Sequence, residues 1–387
     1  MSQVNQSSMY FDHAAATPLD RRVFSAMEPY LTELFYNPSA PYAPAVEVRR
    51  DYAAAKSQIA KVVGVKPDEL IMTAGATESI NLAFQSSGGH IVTTVIEHQA
   101  VLAAAAGGDH TLVAVNQKGQ VSPDAIRGAI TPETTLVSVA IANGELGTVQ
   151  PIRDIAEVVR AVRADRLAGG NHTPIHLHTD ASQGVGQLDI SVARLGVDMM
   201  TLNAGKIYGP KQVGLLWAAS PVRLLPLIVG GGQERGLRSG TENVAGVIGF
   251  AKALELAAQH RKHETQRLGA LRDRLERDLT GAFPGSVVSG HKKHRLASHL
   301  HISFLGLDAE RLLFALEARK VYVATGSACA ANKGTRSHVL SAIGLAPEVA
   351  DGSVRLTLGH LNTEDSVTAA SGIMIEEIQR EYDRTAR

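Results

Sequence analysis

An open, mainly parallel α/β sheet with a smaller α+β unit behind it is what this chain should build, and three observations point there. From about residue 45 to 250, short apolar runs rich in β-branched residues alternate with stretches of 3.6-residue periodicity. A long helical pattern then runs from Val244 to Leu279, with Leu268, Leu271, Leu275 and Leu279 on one stripe, and the polar stretch Gln259–Gln266 interrupts it. The chain is also 387 residues long, two to three times the usual length of a domain. Taking the interruption as a boundary, residues 16–258 form the large domain, while residues 1–15 and 259–387 form the small one.

In chain order, Val46–Val63 reads as a helix, and Leu70–Met72 as a strand leading into a helix that carries Ile80, Leu82 and Ala83. Ile91–Val95, Thr111–Val115, Thr135–Ile141, Ile175–His178 and Met199–Leu202 read as short buried strands, with Ser122–Ile130 and Ile152–Ala168 as helices among them. Such alternation favours parallel strands joined by crossover helices that cover both sheet faces. The small unit carries candidate strands His299–Phe304 and Ser353–Leu358 and candidate helices Ala309–Ala318 and Thr363–Arg384. Internal repeats and low-complexity segments are absent from the sequence.

Composition narrows the class. Thirty-eight basic against 38 acidic residues give a formal net charge of zero, which argues against a general nucleic-acid binder or a protein held to membranes by bulk basicity. A chain that is 44% hydrophobic with 36 glycines suits a loop-rich α/β enzyme rather than a disordered one. Cys329 is the sole cysteine, so an intrachain disulfide is impossible and a reducing compartment is expected. The first residues lack a basic start and an apolar core, and no run of about 18 apolar residues follows, so the expected location is the cytoplasm.

Several residues could carry chemistry. Lys206, between Gly205 and Ile207, directly follows the strand Met199–Leu202; an amine at a glycine-flanked strand end can capture a carbonyl as a Schiff base, whereas Lys211 reads as a surface charge. Asp180 also follows a strand, as a partner for a pyridinium nitrogen or as a helix cap. The stretch Thr73–Ser79 puts small residues and Thr77 at a helix start, a cradle for an anion or a simple cap. His98 ends another strand region, as a stacking, proton-moving ring or as a structural histidine. Cys329 lies among small residues, either an inert thiol or a nucleophile able to move. His176 and His178 share one strand face with His172 nearby, but without a thiol or acidic partner they do not make a metal site, and none is expected. The basic run His291–Arg295 reads as a solvated loop. The strand-end candidates gather in one α/β unit, where open parallel sheets bind their ligands.

The sequence resembles the pyridoxal-phosphate (PLP) enzymes of aminotransferase class V, in particular the NifS/IscS-like cysteine desulfurases. The likeness runs from Tyr-Phe-Asp-His-Ala-Ala-Ala-Thr-Pro at residues 10–18 and Asn37-Pro-Ser through Gly75-Ala-Thr-Glu, Glu97-His and Thr179-Asp-Ala-Ser-Gln. It continues through Lys206-Ile-Tyr-Gly-Pro-Lys and the stretch Gly231–Asn243 to Gly326-Ser-Ala-Cys and Val354-Arg-Leu-Thr-Leu-Gly. The resemblance implies the PLP-transferase fold type I. It implies that Lys206 holds PLP, Asp180 keeps the ring nitrogen protonated, Gln183 touches the phenolic oxygen and His98 stacks as an acid–base group. Ala76 and Thr77 would bind the phosphate, and Thr241 would reach the phosphate of the other subunit in a homodimer. Arg355 would pair with the substrate carboxylate, and Cys329 would be a nucleophile on an extended, flexible loop. The implied reaction converts L-cysteine to L-alanine with a persulfide on Cys329, which then passes to an acceptor protein such as an iron–sulfur scaffold or a tRNA thiolation enzyme. Other class V reactions, such as transamination or selenocysteine cleavage, and a weakly active scaffold for sulfur-transfer proteins remain the alternatives.

Three positions depart from the family pattern. Gly205 stands in place of the usual histidine before the lysine, Asn203 in place of a serine, and Gly144 in place of the second asparagine of Asn-Asn-Glu. Each lost hydrogen bond to a charged group costs on the order of 1.5–3 kcal/mol unless replaced. The Asn203 amide can donate to phosphate and so replace part of this.

Overall fold

A computed structural model of the chain describes residues 9–326 and 336–386. Seven strands form the main sheet: β1 Leu70–Thr73, β2 His90–Thr94, β3 His110–Val113, β4 Thr134–Ser138, β5 His176–Asp180, β6 Met199–Asn203 and β7 Gly214–Ala218. Their order is β1-β7-β6-β5-β4-β2-β3, and β3, β2, β4, β5 and β6 pair in parallel. β7 pairs antiparallel with both β6 and β1. The expected strands of the main sheet appear with shifted ends, but β7 was not foreseen. Its direction follows from the short connection 204–213, since a parallel return needs a crossover of about a dozen or more residues.

The helices that matter below are α1 Ala43–Val63, α2 Ala76–Gln85, α3 Gln99–Ala105, α4 Pro123–Ala129, α5 Ile152–Ala168, α6 Val244–Ala282, α7 Ala309–Ala318, α8 His338–Ala342 and α9 Glu364–Thr385. Side chains alternate across a strand, so Val137, Leu177, Leu202 and Leu215 face a core shared with Ile59 of α1, Ile155 of α5 and Phe250 of α6. Leu136, Met199 and Leu216 face the other side, against Ile80 and Leu82 of α2 and Val101 of α3. Both faces are therefore covered, as parallel sheets require.

A second core forms around the antiparallel sheet β10-β9-β8, built from β8 Val287–Ser289, β9 His299–Ser303 and β10 Ser353–Thr357. Leu300, Ile302, Val354 and Leu356 pack there against Leu312 of α7, Val367 of α9 and the leucine stripe of α6. The N-terminal segment joins this core through Phe11, whose N–H donates to the Tyr322 carbonyl (2.7 Å) and whose carbonyl accepts from Thr357 (2.8 Å).

The polar stretch Gln259–Gln266 does not interrupt α6, which is one continuous helix of 39 residues. Gln, Arg, Lys and Glu are good helix formers, and an ion pair between Glu264 and Arg267 (2.7 Å) adds local support. The apolar stripe lapses there because the helix is passing from one core to the other.

Candidate active site

The carboxyl ends of the parallel strands carry the candidate residues to one end of the sheet. Asp180 closes β5, Asn203 closes β6, and Lys206 follows in a single 3₁₀ turn, Ala204–Lys206. His98 lies four residues beyond the end of β2, where it caps α3 by accepting the Ala100 N–H on Nδ1 (3.1 Å). Asp180 does not cap a regular helix; its Oδ1 accepts the Ser182 N–H (2.9 Å) and tightens the turn after the strand.

The lysine amine is held by the backbone of the N-terminal turn. Lys206 Nζ donates to the carbonyls of Ala14 and Ala15, each at 2.8 Å. The Gln183 amide donates to the same Ala14 carbonyl (3.1 Å), which brings Lys206 and Gln183 together. Gly144 packs on Gln183: a Cβ at Gly144 would stand 3.2 Å from the Gln183 amide nitrogen, so the glycine lets that side chain lie where it does. The carbonyl of Gly144 in turn accepts from Arg355 Nη1 (3.3 Å).

Arg355 sits mid-strand in β10 and is buried. Its Nη2 donates to Asp12 Oδ1 (2.6 Å), a charged pair shielded from water, while its Nε has no hydrogen-bond partner. Behind it, His299 and His301 alternate along β9 on one face, and burial, with the Arg355 charge second, lowers both to about 3. They are neutral near pH 7 and add no second positive charge beside the arginine.

The third group lies at the start of α2. Gly214 of β7 pairs across to Asn203 on one side and to Thr73 on the other, so the end of β6 and the β1–α2 turn are neighbours. A Cβ at Gly214 would come within 2.7 Å of the Gly75 backbone, which is why glycine is needed. Gly75 has φ 143°, and a Cβ there would meet nothing within 4 Å. Ala76 and Thr77 thus open α2 beside unfilled space, where free N–H groups and the helix dipole favour an anion. Glu78 does not spoil this. Its Oε2 accepts the Ala74 N–H (2.8 Å) and its Oε1 pairs with Arg238 (2.9 Å).

Two ionisable groups flank the site. His98 is exposed, yet the surrounding protein still desolvates its imidazolium and lowers its pKa; Asp180 opposes the shift, and Lys206 and His338 reinforce it. It is therefore neutral and able to take a proton near pH 7. Glu97, fully buried beside it in sequence, is pushed up to about 7 by burial, against the hydrogen bonds from Thr94 and Ala140, with Asp180 adding to the rise.

Thr241 is exposed in the loop before α6, tied to the site region only at a distance by the Arg238–Glu78 pair. Cys329 lies outside the described residues. Gly326, three residues before it, borders the buried Glu145, whose Oε2 accepts from Ser337 at the start of α8 (2.8 Å). Both flanks of the cysteine segment therefore rest on Glu145, next to Gly144. His178 bonds to Ser138 and Thr201 (2.9 Å each), a structural placement. Sequence reasoning missed Ala14 and Ala15, because a backbone carbonyl leaves no signature in residue type, and it passed over Asp12, His13 and Tyr208 although their motifs were in view.

A mainly parallel sheet with a lysine, an aspartate and a histidine beyond the carboxyl ends of its strands sets the class to be compared, and the family comparison supplies it. The model for aminotransferase class V matches residues 9–369, and the chain belongs to that family. Curated relatives include the cysteine desulfurase IscS of Dictyoglomus turgidum, 38% identical over 96% of this chain and 95% of that one. The IscS of Methanosarcina thermophila is 37% identical, over 96% and 92%. Among solved structures, a NifS-like protein superposes with a TM-score of 0.87 at 32% identity, covering 96% of this chain and 99% of the other. A structure titled SspA in complex with cysteine gives 0.76 at 33%, covering 92% and 99%.

Proposed function

We propose that this protein is a PLP-dependent cysteine desulfurase that converts L-cysteine to L-alanine and carries the sulfur away as a persulfide on Cys329. The observation that carries the reading is the convergence of Lys206, Gln183, Asp180 and His98 with the anion cradle at Gly75–Thr77, one chain of contacts away from the buried Arg355. These residues fit the cofactor. The unfilled space at Gly75 suits a phosphate, Asp180 suits a ring nitrogen, and the unpartnered Arg355 Nε suits a carboxylate oxygen. When bound, PLP supplies an electron sink for charge developing at the substrate Cα.

The chain's own residues supply the rest. Lys206 would hold the cofactor, and its amine is placed to take the Cα proton. Arg355 orients the substrate through its carboxylate, held rigid by Asp12 and the Gly144 carbonyl. His98, neutral near pH 7, moves a second proton at the cofactor face. The Cys329 thiolate then forms an S–S bond to the substrate sulfur as the Cβ–S bond breaks. The electron pair of that bond stays on carbon, which takes a proton and leaves as alanine. Support for Cys329 comes from its flanks, both resting on Glu145 beside Gly144. An acceptor such as an iron–sulfur scaffold or a tRNA thiolation enzyme would take the sulfur. A homodimer completed at Thr241 and a cytoplasmic setting belong to the same reading; among the described residues no helix is long and apolar enough to cross a membrane. The direct test mixes purified protein with PLP and L-cysteine and measures alanine and sulfide together. Equimolar formation is expected with a thiol reductant, and pyruvate or no product at all would overturn the reading.

Two further outcomes follow from the geometry. Arg355→Ala should raise the KM for cysteine by more than about tenfold, the loss of a charge-assisted bond, with little change in PLP affinity. It should also lower the melting temperature, because the half-buried Asp12 is left without its charged partner. Steady-state kinetics with a thermal melt checks both, and an unchanged KM would remove Arg355 from the substrate site. Gly205→His should tighten PLP binding by about tenfold if the new ring bonds the phosphate. A Cβ at Gly205 meets nothing closer than 3.4 Å, so the backbone has room for it. Fluorescence titration of the variant against wild type measures the change, and equal affinity would show that Asn203 already supplies what the histidine would.

A further inference from the structure

Close to the lysine, one residue adopts a backbone conformation that needs support. Tyr208 has φ 64°, in the left-handed region that bulky residues rarely enter. Its hydroxyl lies 2.7 Å from the backbone N–H of His360 and 3.2 Å from Nδ1 of His13, and its ring stacks on His360 at 3.9 Å. An N–H can only donate, so the hydroxyl accepts from the His360 N–H, and it makes a second bond with His13 Nδ1 whose sense follows the imidazole tautomer. His13 is neutral near pH 7, since burial first and His360 second lower it to about 4. Gly359 makes the contact possible: a Cβ there would stand 2.2 Å from the Tyr208 hydroxyl and 2.3 Å from His13 Nδ1.

His13 immediately precedes the two residues whose carbonyls hold Lys206. The turn is closed by the Ala15 N–H on the Asp12 carbonyl (3.0 Å) and pinned to β10 by the Ala14 N–H on Thr357 Oγ1 (2.9 Å). The lysine segment grips it from the other side, through Thr17, which bonds the Gly205 carbonyl (3.1 Å) and the Tyr208 N–H (2.9 Å), and through the His13–Tyr208 bond. We propose that His13 is a positioning residue for Lys206: tied through Nδ1 to the Tyr208 hydroxyl, it sets the Ala14 and Ala15 carbonyls against the lysine amine and fixes where that amine rests when it is not bonded to a cofactor. This deepens the proposed function and rests on Lys206 being the cofactor lysine.

The test uses the full chain without PLP, reductively methylated with formaldehyde and cyanoborohydride, and reads modification of Lys206 against the exposed Lys61 by peptide mass spectrometry. His13→Ala and Tyr208→Phe should each speed labelling of Lys206 by about fivefold, which corresponds to about 1 kcal/mol for one lost hydrogen bond. His13→Asn, whose amide can pair with the tyrosine hydroxyl in either sense, should return the rate to that of the wild type. Unchanged labelling in Tyr208→Phe, or failure of His13→Asn to restore it, would overturn the proposal; Tyr208→Phe carries the test alone should His13→Ala fail to fold. The underlying reading is checked separately by borohydride reduction of the wild-type protein with PLP. A phosphopyridoxyl group anywhere but Lys206 would refute the lysine assignment without affecting the labelling result.

Discussion

Lys206→Ala is expected to lose the covalent cofactor linkage and to lower turnover by about 10⁴-fold or more, the upper end of what a positioned general base supplies. The effect is large because the amine has two tasks that no neighbour can assume. In the proposed mechanism it bonds the cofactor, and the Ala14 and Ala15 carbonyls place it to take the Cα proton afterwards. Lys211 is the nearest rival in sequence, but its Nζ donates to the Thr17 carbonyl (3.5 Å), whereas Lys206 holds the Ala14 and Ala15 carbonyls. The measurement is borohydride reduction of the variant with PLP, followed by peptide mapping. A stable adduct on Lys211 with residual alanine production would transfer the role to that residue.

Cys329→Ser should separate binding from sulfur transfer. PLP and cysteine should still bind with wild-type spectra, because Lys206, Asp180, Arg355 and the Gly75–Thr77 cradle are untouched. Alanine production should nevertheless fall by more than about a hundredfold, since a hydroxyl has almost no oxyanion near pH 7 whereas a thiol with a pKa of about 8.5 has a few per cent thiolate. Intact-mass analysis of the wild type after incubation with cysteine should show one added sulfur on Cys329. Continued accumulation of alanine with no added sulfur would exclude the persulfide route.

Much of this could be read from residue order alone, for a physical reason. A buried parallel strand is a short apolar run, and a residue that breaks such a run at its carboxyl end stands out, as Asp180 and Lys206 do. The strand β7 did not stand out. Its apolar residues Leu215–Ala218 follow the glycine- and proline-bearing segment 209–214, and nothing in them declares direction; only the shortness of the connection does. The polar stretch in α6 misled for the opposite reason. Periodicity reports what a helix packs against, not whether it is helical, so a change of partner looked like a break. The turn that holds Lys206 was out of reach because it acts through carbonyls brought from nearly 200 positions away in the chain, and Gly144 was legible as a departure but not as the space into which Gln183 fits.

The helix α6, at 39 residues, runs about 58 Å end to end. Val247, Phe250 and Leu254 clamp its first half into one core, and Leu268, Leu271, Leu275 and Leu279 clamp its second half into the other. A beam fixed at both ends carries load from one to the other, because bending it in the middle would break main-chain hydrogen bonds in Gln259–Gln266. Heating should therefore yield one calorimetric transition for the described cores rather than two. A proline at His263, which removes one such bond at the midpoint, should split that transition while leaving each half-helix seated in its own core.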